Sequence, residues 1–330
     1  MPKIQLNNVL SSVEITIVIC THNRVELLRH VLDSLCIAVR PSLKVNILIV
    51  ANACSDGTVE FLSVFVEEIK SLTGYSLRWV EVPRPGKVFA LNHAIGLLKP
   101  GMIVAFVDDD HRVDANYLVS IEKAIIGHPE ITMFCGRILP DWDGCEPAWA
   151  HEEGEFAIYP LPVPRYDQGP QEKEITLEKG PLAGGGNLVI RSEVFERVGF
   201  FSEELGPKGH DLGGGEDSEF VTRALQAGEV LRYVPDILQY HYVDIERFTV
   251  WYVLRKSYQR SRSVTQIRGV QSGIVPKYLW RKLFSYMWWV LVSLYWPKSR
   301  FYLVRSAATL GEISGHFAAW RQSMGSGGRQ

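Results

Sequence analysis

Ile103-Val104-Ala105-Phe106-Val107-Asp108-Asp109-Asp110-His111-Arg112-Val113-Asp114 is the stretch on which the reading of this chain turns. An apolar run entered from Pro100-Gly101 stops abruptly at three consecutive carboxylates. Its length and its β-branched and aromatic content are those of a buried strand. Three Asp at the end of such a strand repel one another and lose hydration. A divalent cation would relieve both costs, because hard cations take carboxylate oxygens. A sheet edge that gathers carboxylates around a cation can also hold a diphosphate. Taken alone, the triplet fits equally a polar loop whose Asp residues cap the next helix, so the flanking sequence decides.

Upstream, strands and helices alternate. Ile15–Cys20, Val45–Val50, Ser76–Val82 and Met102–Val107 read as strands. Between them lie helical patterns over Arg24–Ala38, from Asp56 onward with Thr58 as its cap, and over Lys87–Leu98. This alternation implies βαβ units and a parallel sheet covered on both faces, with ligands beyond the carboxyl ends of the strands. Three polar clusters fall at those ends: residues 21–24, 52–58 and 108–110. Downstream the chain is less regular. Residues 140–180 are rich in Pro, Gly, Trp and acid and read as a long loop, a feature usually functional or mobile. Two glycine runs follow, Gly184–Gly186 entering a strand and Gly213–Gly215 entering a helix that opens with Glu216-Asp217. Neither run is followed by the Lys-Ser/Thr of a P-loop. A strand is expected over Leu231–Val234, with Tyr240-His241-Tyr242 just beyond it.

With 330 residues the chain can bury a sizeable core, and 46% hydrophobic content fits a globular protein. A net charge of −2 gives no sign of a nucleic-acid partner. The five cysteines lack metal-like spacing and read as buried thiols of a reducing compartment. The first residues lack an apolar leader, which agrees with a cytoplasmic location.

Six segments, in order, resemble family 2 glycosyltransferases with the GT-A fold: ITIVICTHNR, LIVANACSDGT, GKVFALNHAI, FVDDDHRVDANYL, GGGNLVIRSEVFERVGFF and GGGEDSEFVTRALQAG. The likeness covers about residues 14–245. It implies a Rossmann-like, mostly parallel α/β sheet flanked by helices, and hexosyl-type transfer from a nucleotide-diphosphate sugar, UDP-sugars first. Mn2+ or Mg2+ would bridge the donor's phosphates to the acids of a DxD motif. Carried over by residue, Thr21 and Arg24 match the first nucleotide loop and Asn52 and Asp56 the second. Ala51 stands where that pattern has an Asp that commonly meets the base. Lys87 and Asn92 match the next approach to the nucleotide, and Asp109, Gly185 and Asn187 join the donor-binding set. Asp108 would face the ribose and Asp110 the metal, with His241 completing the metal shell. Glu216-Asp217 matches the ED motif. His22, His93, His111 and His210 receive no role.

The chemistry asks for the same parts. Losing a nucleoside diphosphate from an anomeric carbon builds charge on the phosphates, which a metal neutralises. The incoming hydroxyl has a pKa far above 7, so an inverting transfer needs a base within hydrogen-bond reach. Asp217 is expected to be that base, with Glu216 the alternative; as plain helix N-terminal charges the pair would simply favour the dipole. Arg255 and Arg260, on a basic helix, could meet the diphosphate or form a solvated face. Two other activities are weighed: a nucleotidyltransferase, against which the THNR loop is poor in glycine and basic residues, and an inactive membrane-associated scaffold, against which both acidic motifs are intact.

Residues 1–245 are expected to form the catalytic domain and 246–330 a helical extension. Residues 271–330 hold eight Lys/Arg and one acid, Glu312, around the apolar run Leu283–Trp296. That run is shorter than the roughly 20 residues a span requires. It suits a helix buried on the main domain or across a homodimer, or an interfacial helix on an anionic membrane. We expect peripheral attachment at the inner membrane face, matched to a carbohydrate, lipid-linked or other hydroxyl acceptor. The closing MGSGGRQ reads as a flexible end.

Overall fold

The computed structural model describes residues 13–178, 182–203, 215–267 and 275–326. It has two compact units, one of residues 1–141 with 165–242 and one of 142–164 with 243–330. The expected boundary at residue 245 is a single cut along the chain. In the structure the segment 142–164 groups with the C-terminal helices.

In the first unit the chain runs β1 (Glu14–Thr21), α1 (Val25–Ile37), β2 (Lys44–Asn52), α2 (Thr58–Thr73), β3 (Ser76–Val82), α3 (Lys87–Gly96) and β4 (Ile103–Phe106). It continues through β5 (His111–Val113), α4 (Tyr117–Gly127), β6 (Met133–Asp141), β7 (Lys173–Ile175), β8 (Leu188–Arg191), α5 (Glu193–Val198), α6 (Glu216–Gln226) and β9 (Leu231–Tyr242). The nine described strands form one sheet in the order β3-β2-β1-β4-β8-β6-β9-β5, with β7 on β9. From β3 to β4 the pairing is parallel, as is β6 with β9. The pairings of β8, β5 and β7 are antiparallel.

Strand alternation divides the core. Ile15, Ile17 and Ile19 pack with Leu28 and Leu32 of α1 and Leu62 of α2 on one face. Val18, Leu48 and Val104 pack with Leu91 of α3 and Phe220 of α6 on the other. Both faces are therefore covered, which is why β1, β2 and β4 read as continuous apolar runs. The sheet positions the site: the carboxyl ends of β1, β2 and β4 bring residues 21–24, 52–58 and 108–110 to one edge.

Three sequence expectations are corrected. The strand expected to stop at Val234 runs on to Tyr242. Its register with β6 jumps from Gly136↔Val234 to Arg137↔Leu238, at Pro235, which has no N–H for the ladder. His241 thus lies within a strand. Thr58 does not cap α2; the Asp56 carboxylate accepts the Thr58 N–H at 3.1 Å and the Val25 N–H at 3.2 Å, serving two helix starts. Of the five cysteines expected to be buried, Cys135 is; Cys20, Cys36 and Cys54 are half-buried and Cys145 is exposed.

The second unit holds a short 3-10 turn at Ala148–His151, another at Ile245–Phe248, and helices α7 (Val250–Ile267), α8 (Lys277–Val292) and α9 (Trp296–Ser326). The apolar run Leu283–Trp296 is not one helix: α8 ends at Val292, and α9 begins with Pro297 in its first turn, where the missing N–H costs nothing. Met324–Ser326 of the expected flexible end continue α9, and Gly327–Gln330 lie outside the described residues. Among the described residues no helix is long and apolar enough to cross a membrane.

Helices α7 and α9 meet backbone to backbone. A Cβ on Gly311 would lie 2.1 Å from the Tyr258 carbonyl oxygen. Gly311→Ala is therefore expected to lower stability by about 1–3 kcal/mol or more through overpacking. Urea unfolding followed by far-UV circular dichroism measures it, and an unchanged midpoint would contradict the close crossing.

Candidate active site

The edge cluster is built around the carboxylate triplet. Asp108 and the Lys87 ammonium, at the start of α3, are 2.6 Å apart. Burial pushes the Asp108 carboxyl upward, but the charge and hydrogen bond of Lys87, with the neighbouring His111 and His241, together outweigh this and hold it at about 2. Asp109 is buried, which raises its pKa against the pull of Arg24. Arg24 contacts Asp109 at 2.9 Å and Asp110 at 3.0 Å. The triplet thus meets two cations drawn from the other loops of the same edge.

His111, which the sequence left without a role, lies beside Asp110. It sits directly opposite His241 in the β5–β9 ladder. The His111 Nε2 is 3.8 Å and the His241 Nε2 3.7 Å from the Asp110 carboxylate. Neighbours fix both tautomers. The Gln239 amide nitrogen faces the Phe106 carbonyl at 3.1 Å, so the Gln239 Oε1 is left to accept the His111 Nδ1–H at 2.7 Å. The His241 Nδ1 is 2.6 Å from the Tyr242 carbonyl, which can only accept, so this Nδ1 carries the proton. In the neutral imidazoles each Nε2 then presents a lone pair towards Asp110. Burial depresses the His241 pKa against the attraction of Asp110 and favours its neutral, ligating form. Asp110, His111 and His241 offer ligand atoms within 4.8 Å of one another. Two imidazoles with outward lone pairs beside a carboxylate fit a divalent cation, and Nδ1 partners of this kind are what orient metal-bound histidines. The period-2 pattern Gln239-Tyr240-His241 was the available signal for this pairing; the early expected end of β9 concealed it.

Glu216 and Asp217 open α6. The Asp217 Oδ2 accepts the Gly185 N–H at 2.5 Å and its Oδ1 accepts the Ser218 N–H at 2.7 Å, so the side chain is fixed against the first glycine run. Gly186 is needed for another reason: a Cβ there would lie 2.7 Å from both the Asp108 Oδ2 and the His111 Cε1. Asp217 shares a small pocket with Cys20, Lys87, Asp108, Gly185 and Glu216. Glu216 is buried, its Oε2 has no hydrogen-bond partner among the described residues, and burial raises its pKa. Because the folded-state pKa lies above the unfolded one, this carboxyl costs stability as pH rises past the ordinary carboxylate range, and the cost is complete above the folded pKa. Glu216→Gln is expected to raise Tm at neutral pH, with the gain vanishing in acid. A Tm difference independent of pH would contradict the buried, uncompensated carboxyl.

Other expected residues serve the frame of the edge. The Asn52 amide donates to the Val82 and Arg84 carbonyls at 3.1 and 2.7 Å, and its oxygen accepts the Gly86 N–H at 2.8 Å, so it shapes the loop before α3. Asn92 ties α3 to Phe201 through both backbone groups, at 2.9 and 3.0 Å. Asn187 is buried, donating to the Arg137 and Ile237 carbonyls. Thr21 is buried at the end of β1, in register with Ala51. Gly213, Gly214 and His210 lie outside the described residues.

A sheet of this order, parallel through β3-β2-β1-β4 and mixed beyond, flanked by helices on both faces, is that of the GT-A fold. The chain belongs to the glycosyltransferase family described as Glycosyl transferase family 2, which it matches over residues 16–199. It is 24% identical over 300 residues to the glycosyltransferase AglE of Haloferax volcanii, covering 90% of this chain and 86% of that protein. Its fold is similar to that of the mannosyltransferase PcManGT of Pyrobaculum calidifontis, solved with GDP-Man and Mn2+, at a TM-score of 0.51 and 18% identity over 94% of this chain and 75% of that one. TarS residues 1–349 of S. aureus, solved with UDP, give a TM-score of 0.55 at 15% identity over 94% and 92% of the two chains. The protein is a glycosyltransferase, and the nucleotidyltransferase alternative falls away.

Proposed function

We propose that the chain transfers a sugar from a nucleoside-diphosphate sugar to an acceptor hydroxyl by a metal-dependent, inverting displacement. The observation that carries this is the convergence on Asp110 of two imidazole lone pairs whose tautomers are fixed by Gln239 and Tyr242. Asp110, His111 and His241 would hold the cation, with Asp108 beside them. The cation, when bound, supplies positive charge at the diphosphate. Imidazole ligands favour Mn2+ over Mg2+, which prefers an all-oxygen shell.

The chain's own residues do the rest. Arg24 and Lys87 bring positive charge to the edge where the diphosphate would lie. Thr21, Asn52, Asp56, Asn92, Asp109, Gly185 and Asn187 shape that edge or stand at it. Asp217 is the base: it takes the proton of the acceptor hydroxyl as that oxygen bonds to the anomeric carbon. We assign catalysis to residues 1–245 and treat 246–330 as an extension. UDP-sugars are the first donors to test, since the S. aureus neighbour carries UDP; GDP-Man follows from the other neighbour. The acceptor is taken to be a carbohydrate or a lipid-linked hydroxyl, and the compartment the reducing interior of the cell.

Slow hydrolysis of the donor by water tests the reading without the acceptor. Purified protein with Mn2+ and a panel of UDP-, GDP- and TDP-sugars is expected to release nucleoside diphosphate from one of them. No release from any, by protein that is folded and metal-supplied, would count against it.

A further inference from the structure

Helix α8 is built inside out. Its packed side carries Leu279, Leu283, Tyr286 and Val290, and Tyr286 meets Tyr302 of α9 with ring centroids 5.5 Å apart. The side turned away from α9 should be polar in a surface helix. Instead it presents Phe284, Trp288 and Leu291 at 71%, 63% and 76% exposure, and the turn beyond adds Leu294, fully exposed, and Trp296. Scattered exposed apolar side chains are ordinary, but a contiguous aromatic and aliphatic patch marks a contact surface.

Along the chain the charge on either side of it has one sign, although Glu152, on the segment whose Phe156 meets Tyr295, pairs with Arg300. From Arg247 to Gly311 the chain has twelve Lys and Arg and no Asp or Glu, in a protein whose net charge is −2. Lys277 and Arg281 are exposed on α8 itself, and the Lys298 ammonium lies 3.8 Å from the Trp289 ring centroid. Lys282 is paired with Glu312 at 3.5 Å.

We propose that the outer face of α8, with the turn to α9, docks on an anionic lipid bilayer, lying in the headgroup plane. Three observations select this occupant. The patch is amphipathic in the way interfacial helices are, with tryptophans that suit the headgroup level and basic residues at its border. Its charge is complementary to an anionic leaflet, where each basic residue adds to binding. A second copy of the chain would set the exposed Lys277 and Arg281 of this face against their own counterparts. A single-stranded nucleic acid would use aromatic stacking and leave Leu291, Val292 and Leu294 uncovered. This inference does not depend on the catalytic reading.

Flotation of the full chain with vesicles of phosphatidylcholine, with and without phosphatidylglycerol, tests it at low and high salt. The chain is expected to float with the anionic vesicles at low salt and to remain below with the neutral ones. Phe284→Ser with Leu291→Ser should abolish flotation. Lys277→Gln with Arg281→Gln should weaken partition on the order of tenfold or more. These side chains are exposed, so Tm should be little changed. If the double Ser variant unfolds, Leu294→Ser, on the fully exposed turn, replaces it and should weaken flotation. Equal flotation with neutral vesicles would overturn the charge argument. Flotation unaffected by the Ser variants would overturn the assigned face. An unbound chain that sediments as a dimer, and as a monomer once the face is substituted, would show that a second copy covers it and would overturn the proposal.

Discussion

Asp217→Asn is expected to lower kcat by roughly 10²–10⁴-fold, the usual loss on removing a general base, while the affinity for the donor stays nearly unchanged. The reason lies in what the side chain touches. Both of its oxygens accept backbone N–H groups, from Gly185 and Ser218, which aim the carboxylate while each oxygen keeps a lone pair for the acceptor proton. Asparagine preserves the shape but has one acceptor atom. Its amide nitrogen would then face one of the two N–H donors, so a stability loss of about 1–3 kcal/mol should accompany the loss of turnover. Glu216→Gln separates the two acids of the pair. Glu216 is buried, with its Oε2 unpartnered among the described residues, and on this account its substitution leaves most of kcat in place. Near-normal turnover in Asp217→Asn with a dead Glu216→Gln would transfer the base to Glu216.

Asp110→Asn should abolish the dependence of donor binding on the cation. Asp110 is the carboxylate on which both imidazoles converge, and it also meets Arg24. Two imidazoles and one carboxylate leave a cation's shell incomplete, so binding should be weak until the diphosphate supplies further oxygens. Removing the carboxylate leaves two neutral ligands and should lower Mn2+-dependent nucleotide affinity by at least about 10–100-fold, the scale seen even when only the partners of metal ligands are altered. His111→Ala should reproduce much of the loss, and it should hurt Mn2+ more than Mg2+ because imidazole is the poorer partner for Mg2+. Titration calorimetry with the nucleoside diphosphate, with and without each cation, reads both effects. An Asp110→Asn protein with unchanged affinity and metal response would remove Asp110 from the site.

The parallel half of the fold was open to sequence reading because its signals are local. Ile15–Cys20 and Val45–Val50 are apolar on both faces, which only a doubly covered sheet requires, and Ser76–Val82 and Lys87 fell where expected. The acidic triplet was legible for the same reason: charge ending a buried run is costly wherever it occurs. What failed was long-range. Pro235 made β9 look finished, yet the strand runs on, its ladder with β6 resuming at Leu238, and carries Gln239 and His241 to the site. With that strand cut short, His111 had no visible partner 130 residues away. Asn52 and Asp56 were placed at the correct edge, but their hydrogen bonds lie inside the protein, a matter of tertiary geometry that residue type does not encode. The break of the apolar run at Ser293 was signalled by Pro297 and was hidden by reading hydrophobicity without backbone constraints.

The central claim is that the Asp108–Asp110 edge binds a nucleoside-diphosphate sugar through a divalent cation. Thermal unfolding with a panel of nucleotide sugars, in Mn2+ and in chelator, tests it most directly. At a donor concentration about 100-fold above Kd, binding adds about 2.7 kcal/mol to the folded state. The account predicts that one donor raises Tm in Mn2+, and that the rise disappears in chelator and in Asp110→Asn. A rise of equal size in chelator, or no rise with any nucleotide sugar in Mn2+, would contradict it.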